Sequence, residues 1–120
     1  MSHDIPSLLA QIDQEPDKLH SDRTLTVEAL IEMGEPVLGP VLELMLSPDR
    51  ETRMHAQRVL EGVTLRFHGF RPGHGWDDRS HEEDWRRFWN SLGDLDWDAP
   101  EAERADAVAR WREWVQEGRR

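Results

Sequence analysis

Cysteine is absent from this 120-residue chain, which excludes disulfides, thiol catalysis and thiolate metal sites within it. Lysine is almost absent too: Lys18 stands alone beside fourteen arginines, an imbalance that assigns no site. Long apolar runs are missing, and none approaches the length that spans a bilayer. The opening MSHDIPSLL lacks the basic stretch of a signal peptide, so a cytoplasmic protein without a membrane partner is expected. Positive charge is also scarce. Against 15 basic side chains stand 25 acidic ones, a net charge of −10. Generic binding to nucleic acid or to an anionic membrane needs a positive face, so neither is expected. A basic protein partner is permitted. Aromatics are missing from the first half: all six Trp and all three Phe lie beyond residue 66.

What remains is a charged but patterned chain, 37% hydrophobic and 33% charged, which argues for one folded domain rather than disorder. The pattern is helical. Asp4 precedes Ile5, Leu8, Leu9 and Ile12 at the spacing of a short amphipathic helix. A polar connector, Asp13 to Asp22, is broken by Pro16. Val27, Leu30 and Ile31 predict a helix from about Asp22 to Met33, with Gly34 placed to end it. Pro36 restarts the chain into a helix ending near Leu46, whose stripe is Val37, Leu38, Val41, Leu42 and Met45. Pro40 sits near its first turn, where a missing N–H costs least.

Ser47-Pro48-Asp49 forms a corner, with Ser47 expected as cap and Pro48 in the first position of a longer helix. Ala56, Val59, Leu60 and Val63 are its stripe. Residues 68–79, HGFRPGHGWDDR, read as a loop by their Gly and Pro content. Ser80 with Glu83 predicts a capping box opening a helix with Trp85, Phe88, Trp89 and Leu92 on one face, ending at Gly93. Glu82–Arg86 and Glu83–Arg87 are i,i+4 pairs in the favourable orientation. After DLDWDAP, Asp98 with Glu101 repeats the capping signature. The last helix has Ala102, Ala105, Val108, Ala109, Trp111 or Arg112, and Val115 expected inward, Trp114 adjoining them and Gly118 closing it. About six helices and no strand are expected, an all-α chain.

The segment ALIEMGEPVLGPVLELMLSPDRETRMHAQRVLEGV, residues 29–63, resembles the HEAT-like, or PBS-lyase-type, helical repeat. The elements that carry the resemblance are Leu30-Ile31 followed by Gly34, Pro36-Val37-Leu38 followed by Pro40 and Leu42, and Pro48-Asp49 followed by Arg53, Ala56, Val59 and Leu60. The tail LDWDAPEAERADAVARWREWV, residues 95–115, is similar to the segment that closes some bacterial HEAT-repeat proteins. The resemblance implies a short right-handed stack of antiparallel helix pairs. It would be a single domain over 1–120, with a loop inserted at about 67–80 and a capping helix at about 99–117. It further implies a protein-binding scaffold and no reaction. Insertions in repeat arrays often fall at the binding face.

The loop holds most of the residues with chemistry to offer. An aromatic and an Arg on a Gly-rich loop are common binding anchors, which points to Phe70, Arg71, His74, Trp76, Asp77 and Asp78 as a partner surface. The plainer alternative is that Trp76 folds back as a lid on the core. Trp85, Trp89 and Trp111 lie on stripes and are read as core. His68, His74, Asp77 and His81, with Asp78 beside them, form the one cluster with the ligand types for a divalent metal, possible also as a hydrolytic centre. Their spacing matches no standard metal motif, and no cofactor is expected. Ser and Thr residues fall mostly at caps, and no nucleophile–base pair emerges. The acidic excess fits plain solubility, and also a small inhibitor or immunity-type protein covering a basic partner.

Overall fold

The stripes find one another in a computed structural model that describes residues 4–13 and 24–117. Among these residues there are six α-helices, one short 3-10 turn and no strand. The helices are α1 (Ile5–Ala10), α2 (Leu25–Met33), α3 (Leu38–Leu44), α4 (Arg50–Phe67), α5 (Arg79–Ser91) and α6 (Glu101–Gln116). None is long and apolar enough to cross a membrane. The fold is all-α. The Asp13–Asp22 connector beyond Asp13, the expected helix start at Asp22 and the stop at Gly118 fall outside the described residues.

α1 is present as expected and is capped by Asp4, whose Oδ1 accepts from the Ser7 N–H at 2.8 Å. α2 begins later than predicted because Thr24 is its cap, accepting from Val27 N at 2.9 Å. The same hydroxyl donates to Ile12 O at 3.0 Å, which ties α2 to the end of α1. Asp13 continues that tie into α4: its carboxylate accepts from Thr52 Oγ1 and pairs with Nδ1 of the buried His55, each at 2.5 Å. Gly34 turns out of α2 at φ 75°, a conformation only Gly adopts cheaply, and Glu35–Val37 form a 3-10 turn leading into α3. Pro40 lies in the first turn of α3, as its missing N–H requires.

α2 and α3 both pack on α4, and α3 also packs on α6. Val27, Leu30, Ile31, Val37, Leu38, Val41, Leu42, Met45, Ala56, Val59, Leu60 and Val63 all belong to one buried cluster, so the stripes read on α2, α3 and α4 face the core.

Three caps are displaced from their predicted positions. α4 is capped by Asp49, whose carboxylate accepts from Glu51 N at 3.0 Å, while Ser47 Oγ accepts from Asp49 N and Pro48 precedes the cap. α5 is capped by Asp78 rather than Ser80. α6 starts after Pro100, with no side-chain cap from Asp98. The inward face of α6 also differs. Ala102, Ala105 and Ala109 are exposed, and the buried positions are Arg104, Ala107, Val108 and Trp111. Arg104 goes inward because its guanidinium donates to Met45 O at the end of α3 (2.8 Å) and to Ala99 O (2.9 Å). An α-helix leaves its last carbonyls unpaired, and Arg104 serves one of them.

α5 meets its neighbours through rings. Phe88 lies edge-on to Trp111 and Trp114, and Trp89 edge-on to Trp111, at centroid separations of 5.6, 4.8 and 5.1 Å. Trp111 is fully buried, as expected for core. Trp85 and Trp89 are only half-buried. The α5–α6 connector is strapped to α4: Trp97 N donates to Gln57 Oε1 (2.7 Å) and Arg53 Nε to Trp97 O (2.9 Å). Arg50 lies over the Trp97 ring at 4.7 Å and pairs with Asp98 at 3.1 Å.

Candidate functional site

The loop between α4 and α5 is ordered by its own backbone. At the end of α4, Gly69 N donates to Arg66 O (3.2 Å) and Phe70 N to Leu65 O (3.0 Å), with Gly69 at φ 96°. That pair of bonds is a Schellman ending, which places Phe70 against Leu65. Arg71 and Gly75 then exchange both backbone bonds, at 3.0 and 2.8 Å, around the three-residue tip Pro72-Gly73-His74. The positive φ of Gly73 and Gly75 makes so narrow a reversal possible. Closing the tip brings the flanking residues together, and Phe70 meets Trp76 edge to face at 5.4 Å.

Charge completes the bracing. Arg71 Nη2 and His74 Nε2 both lie 2.9 Å from Asp77 Oδ1. The His74 hydrogen bond, and then that of Arg71, hold the exposed Asp77 carboxyl below its usual range. Asp78 accepts from the backbone N–H and hydroxyl of Ser80, each at 2.9 Å, and these bonds lower its pKa likewise. Loop and helix cap therefore run together without a break.

Of the six residues expected at a partner surface, five form this braced unit and Asp78 anchors it to α5. Trp76 is half-buried and its ring partner is Phe70, and it is not among the half-buried side chains that pack on the core cluster. Exposed apolar surface adjoins the loop at Phe67, the last residue of α4, which is 46% exposed.

The four residues considered as metal ligands are turned to separate tasks. His68 Nδ1 donates to Thr64 O at 2.9 Å, with its ring tilted on Phe88. His74 pairs with Asp77, and His81 sits against Gly69. Among the described residues, no three His, Asp or Glu side chains gather into a set that would hold a metal ion.

Beside the loop lies a small groove of about 80 Å³ between α2 and α4, walled by Ile31, Gly62, Leu65, Phe70 and Pro72, with Glu28 and Arg66 also lining it. The sequence pattern does not reveal the walls of this groove. The available signal was Gly62, which breaks helix propensity inside α4. A Cβ at that position would stand 2.4 Å from Ile31 Cδ1, so Gly62 is what lets α2 approach.

Two further hollows went unread. One, of about 220 Å³, lies over Trp85 and Trp89, with Glu61, Arg86 and Asn90 around it. The other, of about 460 Å³, lies between the connector and α6. Asn90 belongs to the walls of both.

Comparison of the chain with protein-family models, with curated proteins and with solved structures gives no match.

Proposed function

We propose that this chain is a non-enzymatic protein–protein interaction module, a short and capped array of the HEAT-like type, whose binding surface is the 67–80 loop with the groove beside it. The observation that carries the reading is the bracing of Phe70 and Trp76. Two aromatic side chains are held in fixed poses by a Schellman ending, a backbone-closed tip and an ion-paired Asp77, outside the cluster that stabilises the fold. Rings fixed before contact lose little freedom on binding, which is what makes an aromatic anchor effective. The groove walled by Ile31, Leu65 and Pro72 gives a partner's apolar side chain somewhere to go. Support for the array comes from the order of elements. Helices joined at Gly34-Glu35-Pro36 and Ser47-Pro48-Asp49 bury their stripes on one another, and α6 closes over α3.

Trp76→Ala tests the proposal without knowledge of the partner's identity. Losing a half-buried ring and one edge contact should destabilise by about 1–2 kcal/mol, below the roughly 3–5 kcal/mol of a core Trp. Proteins retained from the native host by the wild-type chain should be lost by the variant. Equal retention would remove the loop from consideration, and a loss of stability in the core range would make Trp76 a structural lid.

A further inference from the structure

We propose that the hollow over Trp85 and Trp89, continued past Asn90 into the acidic cleft, is a docking groove for an arginine-bearing basic segment of a protein partner. The inference rests on the reading of the chain as an interaction module but not on the 67–80 loop, so the two surfaces can fail separately.

The indoles are built to present their faces. Trp85 Nε1 donates to Thr64 Oγ1 at 3.0 Å, and that hydroxyl donates onward to Leu60 O at 2.8 Å. Trp89 Nε1 donates to Leu95 O at 3.1 Å. Both polar edges are thus consumed inside the protein. The indoles therefore offer the hollow carbon and π-surface, the two rings 5.5 Å apart and tilted by 42°, among the polar Glu61, Arg86 and Asn90. Such faces attract cations, and a planar guanidinium can stack on them where an ammonium cannot. Arg86, on the same wall, is bound to Glu82 at 3.0 Å.

Beyond Asn90 the sign of the surface is set by carboxylates. Asp94, Asp96, Glu103 and Asp106 line the cleft against the single cation Arg110. Asp96 accepts from Asp98 N. The carboxylates of Asp94, Glu103 and Asp106 have no hydrogen-bond or ion-pair partner among the described residues. Asp94 is also the one non-glycine at positive φ (52°) among them. Three unpaired carboxylates around one concavity repel nucleic acid and anionic lipid and favour a basic chain. The geometry then divides the work: one Arg stacks on the indoles, and the next basic side chain enters the cleft.

The test uses a fluorescein-labelled peptide alternating Arg with Ser, titrated with the full chain at physiological salt and read by anisotropy. Saturable binding is expected. Asp94→Asn/Glu103→Gln/Asp106→Asn should weaken it by about tenfold, with a smaller salt dependence. Asn tolerates the left-handed backbone at position 94, so the variant keeps the fold. Glu51→Gln/Glu113→Gln/Glu117→Gln removes the same charge from exposed sites outside the cleft and should change affinity by less than about twofold. Replacing Arg by Lys in the peptide should weaken binding by about threefold or more. The proposal is overturned if the cleft variant binds as well as wild type, if the control variant loses as much, or if spermine binds as tightly as the peptide.

Discussion

Arg104 joins three parts of the molecule, and its removal can be worked through from the distances. The side chain is 8% exposed, with Nη1 2.8 Å from Met45 O and Nε 2.9 Å from Ala99 O. Hydrogen bonds from a charged group contribute about 1.5–3 kcal/mol each, and the carbonyl left at the end of α3 has no other donor once the Arg is gone. Arg104→Ala should therefore destabilise by about 3–5 kcal/mol, a large share of the roughly 5–15 kcal/mol available to a domain. Arg104→Met keeps the apolar stem and isolates the two bonds, so it should lose only slightly less. Arg104→Lys has one point donor for two acceptors on different elements and should fall about midway. Urea denaturation followed by tryptophan fluorescence reads the result as a midpoint lowered by about 1–3 M at unchanged slope. If Arg104→Ala unfolds within about 0.5 kcal/mol of wild type, the size of an ordinary surface change, the two bonds do not support the fold.

Leu60, fully buried on α4, should cost about 2–5 kcal/mol on truncation to Ala, and a value near zero would mean that α4 does not face the core. Gly93 sits at φ 99° with Ala107 Cα 3.2 Å from where a Cβ would stand, so Gly93→Ala should cost about 1–3 kcal/mol. Unchanged stability there would show that α5 and α6 can separate slightly. Asp78 caps α5 with a pKa lowered from 3.8, so its contribution is present above the unfolded pKa and is lost as pH falls through the lowered folded value. The melting temperatures of wild type and Asp78→Ala should differ at neutral pH and converge in strong acid, and a gap that persists at the acid end would refute the assignment.

The stripes of α2, α3 and α4 were legible because Leu, Ile and Val contrast sharply with their polar neighbours. α6 was misphased because Ala carries little contrast, and because Arg104 goes inward for its hydrogen bonds rather than for hydrophobicity. The caps of α4 and α5 slipped by two residues, where two capable side chains lie close together. Ser47 and Asp49, or Asp78 and Ser80, hydrogen-bond to each other, and the sequence does not say which of them holds the helix. DLDWDAP reads as a plain connector, yet Leu95 is in the core and Trp97 packs on it, held by Arg53 and Gln57 some forty residues away. Of the functional surface, the loop was legible from Gly, Pro and Trp content. The two hollows were not, because their walls come from separated segments.

The reach of α6 back to α3 has a consequence during synthesis. Met45 O must wait for Arg104, 59 residues later, and Phe88 and Trp89 must wait for Trp111. A chain that has emerged only through α5 carries its full set of α3 side chains with the face meant for α6 uncovered. Trp85 can settle on α4 at once, but Phe88 and Trp89 then leave the ribosome before the helix that carries Trp111. Contacts this distant close late, and exposed apolar surface is what chaperones bind. A nascent chain with α5 outside the ribosome and α6 still in its tunnel should accordingly be held by chaperones that bind apolar surface, and released once the last sixteen-residue helix is out.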